Sequence, residues 1–148
     1  MIGVAAACAL LVVLTTVVHY EVLRLLSFGL PMVRVRPRAK LLVVMFAVFV
    51  AHAFEILLYG FTSYLIVHGL RLGSLVGAGA TLTNLLYFSA ETYTSLGFGD
   101  IVPGGPLRLL AGVEALNGLL LIGWSASYVY IAMERFWGTP DGERRKTT

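Results

Sequence analysis

Residues 41–70 are thirty consecutive positions with a single charged side chain, Glu55, and this run constrains the fold more than any other feature. A helix needs roughly 20 mostly apolar residues to cross a bilayer. Three stretches qualify, from about Ile2 to Leu26, Leu41 to Val67 and Leu107 to Met133. Backbone in lipid must satisfy its own hydrogen bonds, so each is predicted to be an α-helix. Composition agrees: 58% of the chain is hydrophobic and 13% charged, about half the roughly 25% of an ordinary soluble domain. The fold class is therefore an all-α integral membrane protein with three transmembrane helices. The first stretch lacks the basic leader of a signal peptide and is too long for its apolar segment, so it is read as a span.

The basic residues orient these spans. Arg24, Arg34, Arg36, Arg38 and Lys40 lie beside or between the first two, and Arg135, Arg144, Arg145 and Lys146 follow the third. Only Arg71 and Arg108 fall on the other side, so nine of eleven share one face. That face is expected to be cytoplasmic, with the N-terminus outside, the C-terminus inside and residues 68–106 facing outward. A plasma (inner) membrane location is expected. The net charge of +3 reads as topology and contact with anionic lipid, and implies no nucleic acid. In "GLPMVRVRPRAK" the arginines alternate between Pro31 and Pro37. A voltage sensor needs them on one helical face inside the membrane, so this segment reads as an interfacial loop. Cys8 has no partner in the chain, which excludes a disulfide framework. The tail "WGTPDGERRKTT" is too short for a ligand-sensing domain.

The outward connection carries the most information. "HGLRLGSLVGAGAT" is glycine-rich and reads as a loop. "LTNLLYFSAETYT" reads as a helix of about three turns with Thr81 or Thr83 as N-cap, far too short to span. "ETYTSLGFGD" follows, then "IVPGGP", which is expected to break any regular element, with Pro106 in the first turn of the last span. A short helix that returns as extended backbone is a re-entrant loop, stable only when buried in protein or lining water. Gly97 and Gly99 can adopt φ > 0, which lets alternate peptides face one axis. Four copies around that axis would stack rings of carbonyl oxygens, with the Ser95 hydroxyl beneath them, and such rings replace the hydration shell of a monovalent cation. Function on this reading needs a tetramer. Gly-Phe-Gly alone is an ordinary turn. The short helix, the hydroxyl run, the following Asp and Pro and the outward position set this one apart.

"YFSAETYTSLGFGDIVP" resembles the potassium channel family, and the likeness extends from the second span to the end of the third. That family's filter reads Thr-Val-Gly-Tyr-Gly-Asp, which falls on Ser95, Leu96, Gly97, Phe98, Gly99 and Asp100. Tyr87 and Phe88 take the place of the family's aromatic pair around the filter. Glu91 matches a pore-helix glutamate that, in some bacterial relatives, interacts behind the filter with the aspartate nine residues later, here Asp100. Ser for Thr keeps the hydroxyl, Leu for Val alters packing behind the carbonyls, and Phe for Tyr removes a hydroxyl. The resemblance implies a passive, potassium-selective cation channel working as a homotetramer, with a non-selective channel as the alternative. Potassium ions in the filter are the only bound species implied, with no other cofactor, partner protein or enzyme activity. Residues 1–29 then form an extra N-terminal helix, 30–40 a cytoplasmic basic loop, 41–133 the pore domain and 134–148 a cytoplasmic tail.

Other polar residues interrupt the spans. Glu114 and Asn117 are three apart and share a helical face. If the resemblance holds, Asn117 either lines a cavity or bonds a neighbouring helix, Gly118 is a hinge or a packing point, and Glu114 faces the cavity or sits behind the loop. His19, His52 and Glu55 lie at similar depths if the first two spans pack antiparallel. They are expected to form a buried hydrogen-bonded cluster that holds the first helix, and no metal is assigned to them. The alternative is a metal-binding or accessory membrane protein in which they hold zinc or iron or relay protons.

Overall fold

The computed structural model describes residues 2–32, Arg34 and residues 36–137. The chain order is α1 (Ile2–Gly29), α2 (Pro37–Tyr64) extended by one π-helical turn (Leu65–Gly69), β1 (Ser74–Val76), α3 (Leu82–Tyr93), β2 (Val102–Gly104) and α4 (Leu107–Trp137). α1, α4 and α2 with its π-turn are long and apolar enough to cross a membrane. The second helix starts at Pro37, inside the stretch read as loop, because proline suits the first helical turn. α4 likewise runs on past Met133 to Trp137. Most of the expected tail, with Arg144, Arg145 and Lys146, lies outside the described residues.

Two clusters of buried side chains hold the helices together. Val4, Cys8 and Leu11 of α1 pack with Tyr59 of α2, Leu85 and Tyr93 of α3, and Leu107 and Leu110 of α4. Leu23 and Leu26 pack instead with Val44 and Val48 and with Ala132. The start of α1 therefore meets the end of α2 and the start of α4, so α1 runs antiparallel to α2 and alongside α4. Phe46, Phe49 and Val50 stay exposed on the outside, as expected of side chains that meet lipid or another copy. Close approach of backbones tightens helix contacts where hydrocarbon offers no hydrophobic drive. Gly60 shows this: a Cβ there would come 2.7 Å from Leu86 Cδ2 and 3.2 Å from its Cα.

α3 is capped by Thr81, whose side chain accepts the Asn84 N–H at 3.2 Å. Asn84 also donates to the Gly79 carbonyl at 2.7 Å, which fixes the entry into the helix. The flanking segments depart from expectation. Ser74–Val76 and Val102–Gly104 pair as a small antiparallel ribbon, with Leu75 opposite Pro103. Both lie in stretches expected to be irregular, since three-residue strands show no period. A two-stranded ribbon is all edge, and there proline is tolerated. The glycines make the contact possible: a Cβ on Gly104 would meet Ser74 Oγ, and one on Gly77 would overlap the Asp100 carbonyl. Everything between residues 77 and 101 is thus tied at its base.

Candidate functional site

The C-terminal end of α3 turns directly into the glycine-rich loop. Thr94 N–H still bonds the Ala90 carbonyl at 3.2 Å, and Ser95 N–H reaches Thr92 at 3.0 Å. Leu96 and Gly97 both send their N–H groups to the Glu91 carbonyl, at 2.9 and 3.3 Å. Phe98 N–H goes to Glu91 Oε2 at 3.1 Å. Four consecutive donors thus point back at the end of α3, two at the backbone and one at the side chain of the same residue. The carbonyls of residues 95–99 accept no hydrogen bond among the described residues. Backbone φ is positive at Ser95 (56°), Gly97 (54°) and Gly99 (79°), but not at Leu96 or Phe98. This alternation turns successive peptides in a repeating way, and the side chains of Leu96 (60% exposed) and Phe98 (67%) face out of the chain.

The supporting residues occupy definite places. Glu91 is buried, and its second oxygen, Oε1, has no partner among the described residues. No bond joins Glu91 to Asp100 among the described residues; Asp100 instead receives the Tyr87 hydroxyl at 3.3 Å. Phe88 is buried, whereas Tyr87 is exposed. Behind α3, Glu114 of α4 is fully buried and accepts the Ser89 hydroxyl, which also reaches the Ile56 carbonyl at 2.9 Å. Gly118 lies against the Tyr93 backbone, so that a Cβ would overlap the Tyr93 carbonyl. Asn117 is 5% exposed and donates to Thr15 Oγ1 at 2.8 Å and to the Tyr59 hydroxyl at 3.1 Å. Its amide therefore sits between α1 and α2, in the interhelical arrangement.

A second polar constellation lies deeper. His19 and Glu55 are both fully buried. His19 Nδ1 lies 2.9 Å from Glu55 Oε1, and His52 Nδ1 lies 3.1 Å from Oε2. The Tyr93 hydroxyl donates to Glu55 Oε2 and stands 2.9 Å from His52 Nδ1. Ser125 Oγ closes the ring, 2.9 Å from His19 Nε2 and 3.1 Å from His52 Nε2. His19, His52 and Glu55 therefore meet, with ligand atoms all within 4.8 Å of one another. Tyr93, Ser125, Ser89, Thr15 and Tyr59 were not singled out from the sequence. Each sits on a regular helical face, and only packing shows which neighbour it meets.

An ion channel family model matches residues 41–135. An inward rectifier potassium channel of Paramagnetospirillum magnetotacticum (Kirbac3.1) is 36% identical over 56 residues, 37% of this chain and 19% of the relative. The chain thus spans about a fifth of that relative's length. No solved structure matches. Both matches are channels and neither is an enzyme, in line with the likeness to potassium channels carried by residues 87–103. The chain is an integral membrane protein and belongs to the ion channel family.

Proposed function

We propose that this protein is a passive monovalent cation channel, selective for potassium, built as a homotetramer around residues 95–99. The observation that carries the reading is the alternation of backbone φ at 95, 97 and 99, with the N–H groups of 95–98 turned back to α3. Carbonyl oxygens of Ser95, Leu96, Gly97, Phe98 and Gly99 are then left to face a shared axis. Rings of such oxygens take over the hydration shell of an ion. The partly negative C-terminal end of α3 adds a favourable field for a cation. On this reading α3 is a re-entrant pore helix, α2 the outer helix, α4 the inner helix and residues 1–29 an additional helix outside a pore domain of 41–133. Glu91, Tyr87, Phe88 and Asp100 support the filter. Potassium is also what the relative from Paramagnetospirillum is named for.

The same reading orients the chain with residues 68–106 outside and the α1–α2 connection in the cytoplasm of a plasma membrane. Arg24, Arg34, Arg36 and Arg135 are exposed at that end, where they meet anionic lipid headgroups. Reconstitution into liposomes tests the function directly. Rubidium uptake should be driven by a potassium gradient and blocked by external potassium much more strongly than by sodium. Equal block by both ions would replace the potassium reading with a non-selective channel, and absence of flux would overturn conduction by this chain alone.

A further inference from the structure

We propose that His19, His52, Glu55 and Tyr93 form a closed, four-ligand site for one divalent transition ion of the zinc class, with Ser125 as its outer support. The proposal does not rest on conduction. It begins with a hydrogen count. Both Nδ1 atoms face the Glu55 carboxylate, which only accepts, and both Nε2 atoms face Ser125, which has one hydroxyl hydrogen. Two neutral imidazoles bring one N–H each. With the Tyr93 hydroxyl, which meets both Glu55 Oε2 and His52 Nδ1, four hydrogens serve six contacts, so two contacts hold no hydrogen of their own.

A divalent ion between the two Nδ1 atoms, a Glu55 oxygen and the Tyr93 oxygen removes this shortfall of hydrogens. Both imidazoles then carry their hydrogen on Nε2, and the two lone pairs of Ser125 Oγ accept both. Such outer hydrogen bonds fix the tautomer of metal-binding histidines. Two nitrogens and two oxygens suit zinc, and four protein ligands make a structural site. Tetrahedral bonds of about 2.0–2.1 Å place ligand atoms roughly 3.3 Å apart. The observed spacings of 2.9 and 3.1 Å need to open by a few tenths of an ångström, and the widest separation among the His19, His52 and Glu55 ligand atoms, up to 4.8 Å, needs to close by up to about 1.5 Å. Charge also balances. Tyr93 releases its hydroxyl proton to solvent on binding, and its phenolate with the Glu55 carboxylate neutralises the two positive charges, so the membrane interior receives no net charge.

One extra proton on the ring would supply one of the missing hydrogens, but it would engage two groups. The donors here come from α1, α2 and α3, and those of His19, His52 and Glu55 lie within 4.8 Å of one another. The test uses the full chain purified in detergent without chelator. Expected are about one zinc per chain by elemental analysis, a visible d–d absorption band when cobalt(II) replaces it, and a fall in melting temperature on chelation that zinc reverses. His52→Gln should abolish the cobalt band. Ser125→Ala, which removes no ligand, should weaken binding about 10–100-fold. No metal and no cobalt band in the wild-type protein would overturn the site and leave a proton as the ion that closes the ring. A cobalt band untouched by both substitutions would also overturn it, since the metal would then bind elsewhere. None of these readouts depends on ion flux.

Discussion

Glu91 holds Phe98 from seven residues away: its Oε2 accepts the Phe98 N–H at 3.1 Å, while its carbonyl receives Leu96 and Gly97. One residue at the end of α3 thus organises three successive peptides of the loop. An N–H stripped of its acceptor costs about 1–3 kcal/mol when buried, and that of Phe98 is partly so. Glu91→Ala should therefore loosen the loop and reduce the preference for rubidium over sodium about tenfold in liposome flux. Glu91→Gln keeps an acceptor oxygen and should lose much less. Equal selectivity in all three proteins would remove Glu91 from the account.

Gly118 sets the distance between α4 and the end of α3. A methyl group there would enter the space of the Tyr93 carbonyl, and overpacking of this kind typically costs about 1–3 kcal/mol. Gly118→Ala should lower the melting temperature in detergent and reduce flux by displacing the base of the loop. An alanine variant with unchanged stability and flux would show that the contact is slack.

Ser95 holds φ at 56°, a region that costs a residue with a Cβ about 1–2 kcal/mol. Ser95→Gly should relieve this strain and still conduct, while losing the hydroxyl ring. Ser95→Val adds β-branching at a positive φ and should abolish flux. Comparable conduction through the valine variant would argue against the loop conformation described above.

Asn117 tells packing from ion contact. Its amide bonds Thr15 and Tyr59, and membrane-buried interhelical hydrogen bonds average about 0.6 kcal/mol each. Asn117→Leu should lower thermal stability modestly and leave single-channel conductance unchanged. A changed conductance with unchanged stability would place the amide in the ion path.

The spans and the short helix were legible because each depends on near neighbours in sequence. Apolar length marks α1, α2 and α4, and Thr81 followed by apolar residues marks α3. Gly97 and Gly99 advertised their positive φ, but Ser95 did not, since the alternation is a property of successive peptides and extends one residue past the glycines. The ribbon of 74–76 with 102–104 escaped notice because its pairing joins segments 28 residues apart in steps too short to show a period. His19, His52 and Glu55 were visible as polar intrusions, but Tyr93 and Ser125, which complete their ring, look like ordinary helix residues. Periodicity identifies a face and leaves the partner open. For the same reason Glu91 and Asp100, a natural pair by spacing, divide their bonds between Phe98 and Tyr87.

Ion positions in the assembled particle test the central claim most directly. Anomalous density from rubidium-soaked crystals of the full chain should show a fourfold axis with a column of peaks between successive rings of the carbonyls of 95–99. Replacement of rubidium by sodium should weaken or rearrange that column. A particle without fourfold symmetry, or rubidium bound away from these carbonyls, would contradict the account.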